Sequence, residues 1–271
     1  MRTVALALVG VVLAGVAHAE GPAVSGLNGK FSLEGGATGR RSSGNSAVGT
    51  TEGAIAAPLG SRFGAQLDGI ASASNGWLLG GGGAHVFWRD PTIGLAGPIA
   101  ALGGGRGTTV GLYGAEGELY AGVFTVGALG GYLSSTSPSG VVPSGGLWQG
   151  RLTVYPIADL ALSLGGGQEA GFGSGSATIE YQPDFIASHN VSLFVDGDIG
   201  EDGYYRVTSG VRFYFGPEKT LIRRQREDDP LVIKQIIRRI EFRTGSGPNG
   251  SSQDGTGGNG GRGGLLFGTG G

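Results

Sequence analysis

Tyr204-Tyr205-Arg206-Val207-Thr208-Ser209-Gly210-Val211-Arg212-Phe213-Tyr214-Phe215 alternates two chemistries along its whole length. Tyr205, Val207, Val211, Phe213 and Phe215 form one set; Arg206, Thr208, Arg212 and Tyr214 form the other. Successive side chains of a β-strand point to opposite faces, so this segment reads as a strand with one apolar face and one face of charges and hydroxyls. A soluble sheet can carry such a strand. The aromatic spacing separates the cases. Tyr205 and Phe215 lie on the apolar face ten residues apart. At about 3.3 Å per residue and a tilt near 40° they span roughly 25 Å, the height of the lipid-facing band of a membrane barrel.

Five more segments alternate as cleanly. Residues 62–71 set Phe63, Ala65 and Leu67 against Arg62, Gln66 and Asp68, and residues 148–155 set Trp148, Leu152 and Val154 against Gln149, Arg151 and Thr153. Residues 159–164, 176–182 and 190–199 repeat the pattern, Leu160, Ile179 and Leu193 alternating with Asp159, Glu180 and Asp196. Weaker alternation fills the gaps at 28–36, 48–58, 77–89, 95–104, 109–119 and 123–133, and the glycines at 80–83 mark a bulge or a close backbone approach. The sum is twelve strands, even as a single-chain bacterial barrel requires, with ten and fourteen the neighbouring possibilities. The fold class is therefore all-β, an up-and-down antiparallel transmembrane β-barrel over residues 28–216, with a soluble β-sandwich as the alternative.

One set of strand ends collects proline: Pro58, Pro91, Pro156, Pro183 and Pro217, with Tyr120-Ala121-Gly122 at the sixth corner. Proline donates no backbone hydrogen bond and belongs at strand ends. Trp88, Tyr155, Tyr181 and Phe215 lie at four of these corners and Tyr120 at a fifth. Aromatic rings with a polar edge favour a membrane interface. This end thus reads as the periplasmic girdle and turns, and Tyr205 bounds the apolar band at the other end. The Gly/Ser/Thr-rich segments 36–46, 134–146 and 165–174 would be extracellular loops.

The 204–215 segment resembles the last strand of Gram-negative outer-membrane β-barrels of the porin-like kind, an alternating segment closed by an aromatic residue, here Phe215. The resemblance implies an outer-membrane location, contact with membrane lipid and recognition of Phe215 by the barrel-assembly machinery. In that family the aromatic usually ends the chain, whereas residues 216–271 follow it here.

Residues 1–19 carry Arg2, an apolar run at 4–16 and Ala17-His18-Ala19 before Glu20. That is the pattern of a secretory signal peptide cleaved after Ala19, leaving 20–27 as a short lead. The chain has 60 Gly and no Cys in 271 residues, so an exported fold cannot use disulfides and must rest on burial and backbone hydrogen bonding.

In a barrel the apolar faces meet lipid, and the polar faces meet the interior. The alternation then points Lys30, Glu34, Arg62, Asp68, Glu116, Glu118, Arg151, Glu180, Asp196, Asp198, Arg206 and Arg212 into the lumen. Residues 20–216 hold nine Lys+Arg and fifteen Asp+Glu, a net charge of −6. Those groups either pair across the interior and close it, or line a narrow pore for ions and small solutes with a mild cation preference.

Residues 217–243 are dense in charge, eight Lys+Arg against five Asp+Glu. Asp229-Pro230 could cap a short helix bearing Leu231, Ile233, Ile236, Ile237 and Ile240. The same residues, four of them β-branched, could instead form a short strand. By the topology above this segment is periplasmic, a solvated tether in preference to one that lies against the inner leaflet or the barrel mouth or binds a periplasmic partner. Residues 244–271 are 13 Gly in 28, a composition that cannot bury a core and reads as a disordered, periplasmic tail.

No cofactor or metal site emerges. The chain has no Gly-x-x-x-x-Gly-Lys loop, and His85 and His189 stand more than a hundred residues apart, too sparse for a metal cluster. Both histidines read as solvated or girdle residues, not catalysts. An acidic barrel without a basic stacking platform also argues against nucleic acid. The leading reading is a porin-like outer-membrane barrel, either a small channel or a closed structural barrel, and not an enzyme. The alternatives are a cell-surface interaction protein working through its loops, especially 134–146, and a lipid-modifying enzyme using His85 or His189.

Overall fold

The computed structural model describes residues 22–42, 44–74, 76–137, 142–184, 190–228, 230, 234, 237–238 and 240–241. The signal peptide with its cleavage at Ala19, His189 and the Gly-rich segment 244–271 lie outside the described residues.

Twelve strands follow one another: β1 (Asn28–Arg40), β2 (Gly44–Pro58), β3 (Phe63–Ser74), β4 (Trp77–Asp90), β5 (Gly94–Gly105), β6 (Thr108–Ala121), β7 (Phe124–Thr136), β8 (Gly145–Ile157), β9 (Leu160–Glu169), β10 (Phe172–Tyr181), β11 (Val191–Gly200) and β12 (Tyr204–Phe215). Each pairs antiparallel with its sequence neighbours, and β1 closes on β12 from Gly29↔Phe215 to Arg40↔Tyr204. Closure leaves no free strand edge, which a sheet in hydrocarbon cannot tolerate. A short helix, α1 (Leu221–Glu227), follows, and residues 237–238 and 240–241 are also helical among the described residues.

Alternation decides the faces. On β12, Tyr204, Arg206, Thr208, Arg212 and Tyr214 are buried, while Val207, Phe213 and Phe215 are exposed. Leu67, Leu102, Leu119, Leu164, Ile179, Leu193 and Ile199 are likewise exposed on other strands. The apolar residues thus face outward, the reverse of a sandwich core. Outward aromatics gather near both rims: Phe63, Phe124, Tyr181 and Phe215 at the end bearing the prolines, and Trp77, Tyr132 and Trp148 at the other. Two such bands are what a bilayer's two interfaces call for.

Strands extend through two segments expected to be loops. The described residues of 36–46 belong to β1, β2 and the turn residues 41–42, and 165–174 belong to β9, β10 and the two-residue turn Ala170-Gly171. Both turn residues have positive φ, 48° and 81°, the left-handed pair that a tight hairpin turn requires. Glycine is a strand residue here because neighbouring backbones come close. A Cβ on Gly167 would stand 2.1 Å from the Trp148 carbonyl oxygen. At 80–83 the register is unbroken, and Gly81 makes a close approach to Leu102 and Gly103. Among the described residues a register shift falls instead beside Pro156, between Val154 and Ile157.

Candidate functional site

The lumen is the site, and the chain fills it with its own later residues. At the end where β12 stops, α1 lies across the mouth. Asp159 Oδ1 accepts from the Leu221 amide at 3.0 Å, the Tyr155 hydroxyl donates to Gln225 Oε1 at 2.6 Å, and Arg226 donates to the Phe124 carbonyl at 2.7 Å. Leu221 packs with Tyr155, Ala161 and Tyr214. The lead segment closes the same end: Val24 is buried with Ala56, Phe87, Leu95 and Tyr120, and Ser25 donates to Asp228 at 2.7 Å.

Beyond α1 the chain climbs. Gln66 Nε2 reaches the Pro230 carbonyl low on β3. At mid-height Lys234 Nζ stands 2.7 Å from Asp196, 2.9 Å from Glu52 and 3.5 Å from Glu34. Higher, Arg238 pairs with Asp198 at 2.6 Å and with Glu169 at 2.9 Å. Higher still, Glu241 takes Arg206 at 2.7 Å and the Ser72 hydroxyl at 2.6 Å. Asp198, Arg206, Glu169 and Ser72 all lie within two residues of the far ends of their strands. On the opposite side of this thread, Ile237 and Ile240 are fully buried with Leu79, Ile99, Val110, Leu112, Leu133, Val142 and Leu147.

The wall braces itself as well. Glu180 receives Arg212 at 2.5 Å, the Tyr214 and Ser192 hydroxyls at 2.6 Å each, and Gln225 at 3.2 Å. Arg206 also holds Glu34 at 2.6 Å. Buried charges are stable only when paired and hydrogen-bonded in this way. One cavity inside, lined by Lys30, Glu118, Arg151, Glu180 and Asp196, measures about 120 Å³, room for on the order of ten waters, and another, lined by His85, Glu116 and Gln149, measures about 60 Å³.

No family model and no curated relative matches the chain. Solved structures do. The KdgM porin aligns at 11% identity over 68% of this chain and 98% of its own, with a TM-score of 0.50. An outer membrane channel from Pseudomonas putida F1 aligns at 11% identity over 74% and 99%, also at 0.50. The fold is that of an outer-membrane β-barrel. The outer membrane phospholipase A from Escherichia coli is a weaker likeness, 14% identical over 69% and 92% at a TM-score of 0.46, and decides nothing about chemistry.

In this barrel, Glu34, Asp68, Glu180, Arg206 and Arg212 are buried on the inner face, and Lys30, Glu116, Glu118, Arg151, Asp196 and Asp198 share that parity on their strands. Arg62 does not. It sits exposed in the turn before β3, because the strand begins one residue later. Of the expected girdle aromatics, Trp88, Tyr181, Tyr205 and Phe215 face outward. Tyr120 and Tyr155 are buried inside instead, 8% and 2% exposed. The guanidinium of Arg226 lies 5.1 Å from one ring centre and 5.5 Å from the other, drawing both rings inward. His85 is neither solvated nor a girdle residue. At 1% exposure its Nδ1 lies 2.6 Å from Glu116 and its Nε2 3.2 Å from Asp68.

The segment expected to be a solvated tether is the largest departure. A helix, α1, already precedes Asp229-Pro230, the described residues 237–238 and 240–241 after it are helical as expected, and Lys234, Arg238 and Glu241 end on lumen partners. A usable signal was present: fifteen acids against nine bases in the barrel, and eight bases against five acids in the segment. Glu52 and Glu169 were also missed, Glu52 on a strand of small residues and Glu169 inside an expected loop.

Proposed function

We propose that the protein is a porin-like outer-membrane barrel closed by its own residues 217–241, a plugged channel. The observation that carries this reading is Lys234, set at mid-lumen among Glu34, Glu52 and Asp196. A cation there both blocks the path and neutralises the acidic wall that an open channel would offer to cations. The outward apolar face and its two aromatic bands support membrane lipid as its surroundings, and Phe215 remains the residue proposed for recognition by the assembly machinery. The end bearing the prolines, Asn28 and Phe215 is the proposed periplasmic end.

A catalytic role is not part of this reading. Both ring nitrogens of His85 face carboxylates in a buried pair of contacts, the geometry of a brace across β3, β4 and β6. Adhesion through loops is not favoured either: several turns at that rim are two or three residues long, and Val142 of the 134–146 segment is tucked against Ile237 and Ile240.

Planar-bilayer recording tests the proposal. The full chain is expected to be silent, and a variant ending at Gly216 is expected to conduct with a cation preference. Equal conductance from both would reject the plug, and a silent truncated barrel that still runs faster unboiled than boiled would reject the channel.

A further inference from the structure

The order of contacts along residues 225–241 has a topological consequence. Gln225 and Arg226 touch the lower ends of β7, β8 and β10, Lys234 touches mid-strand residues, and Arg238 and Glu241 touch the upper ends of β3, β9, β11 and β12. Among the described residues the direction does not reverse. Ile237 and Ile240 sit among Leu79, Val110, Leu133, Val142 and Leu147, residues close to that same upper rim. A chain that enters at the Phe215 end and reaches Glu241 at the Tyr204 end has crossed the sheet's full height inside the barrel.

We infer that the barrel is a conduit threaded by its own chain, and that residues from 242 onward begin on the opposite side of the membrane from Asn28 and Phe215. On the orientation proposed above, on which this inference rests, that side is the cell surface. A glycine-rich, sparsely charged segment then becomes a displayed element instead of a periplasmic tail. Its composition suits passage, since small side chains meet the least resistance in a lumen this full. Six ion pairs, from Lys234, Arg238 and Glu241, and two isoleucines hold the thread in place once it has crossed.

The chain has no cysteine, which makes the test direct. Three single variants of the full chain, Ser42→Cys in the upper turn between β1 and β2, Ser61→Cys in the lower turn between β2 and β3, and Ser252→Cys, are treated on intact cells with a membrane-impermeant maleimide. Ser42 and Ser61 are both exposed. The expected result is labelling of the Ser42 and Ser252 variants, and loss of labelling for Ser61→Cys until the outer membrane is permeabilised. If Ser42 and Ser61 differ while Ser252 follows Ser61, the threading inference alone is overturned. If Ser42 and Ser61 label alike, the membrane-spanning reading falls and this inference with it.

Discussion

The two halves of the lumen wall hold the same thread by different physics. β1, β2, β9, β11 and β12 offer Glu34, Glu52, Glu169, Asp196, Asp198 and Arg206 to Lys234, Arg238 and Glu241. β4 to β8 offer Leu79, Ile99, Val110, Leu112, Leu133 and Leu147 to Ile237 and Ile240. The difference separates register from adhesion. Ion pairs are demanding in geometry and fix which residue stands at which height, whereas apolar burial is non-directional and supplies affinity.

Breaking the ionic side should have the largest effect. Lys234→Glu places a carboxylate among Glu34, Glu52 and Asp196 and should cost at least about 3–5 kcal/mol of docking, because removing a buried partner leaves uncompensated charge. Protease cleavage between 228 and 241 in detergent-solubilised protein measures the release; resistance equal to wild type would contradict the pairing. On the apolar side, Ile240→Ala should cost about 2–5 kcal/mol through lost burial and a cavity, with partial cleavage in the same assay. The wall itself comes next. Gly167→Ala, whose Cβ meets the Trp148 carbonyl at 2.1 Å, should cost about 1–3 kcal/mol and reduce the heat-modifiable fraction after refolding without favouring either side. Arg223→Ala is the control. Its pair with Glu227 spans one turn of α1 with Arg223 61% exposed, so a change within about 0.5 kcal/mol in unfolding midpoint is expected.

The same contrast explains what could be read from the sequence. β3 and β8 to β12 alternated clearly because their inner faces carry charges or hydroxyls opposite apolar outer faces. β4 to β7 alternated weakly because the thread makes their upper inner faces apolar too: Leu78 faces out and Leu79 in, Tyr113 out and Leu112 in. Alternation between two apolar faces is invisible to a period-two reading. β9 and β10 were cut short because glycine signals a loop unless the closeness of the next backbone is known. The lumen carboxylates other than Glu52 and Glu169 were legible from strand parity alone. Their partners on the wall, Arg206 and Arg212, were legible too, but Lys234, Arg238 and Glu241 were not, since they lie outside any strand and only the charge imbalance between barrel and segment linked the two. Tyr120 and Tyr155 were placed outside because an aromatic at a strand end fits a membrane interface as readily as a cation lodged within.

Hydrogen–deuterium exchange of the full chain in detergent micelles tests the central claim most directly. A peptide covering residues 234–241 should exchange as slowly as peptides from β11 and β12, since its amides lie inside a nearly filled lumen. Exchange of that peptide at the rate of an unstructured chain would contradict the account.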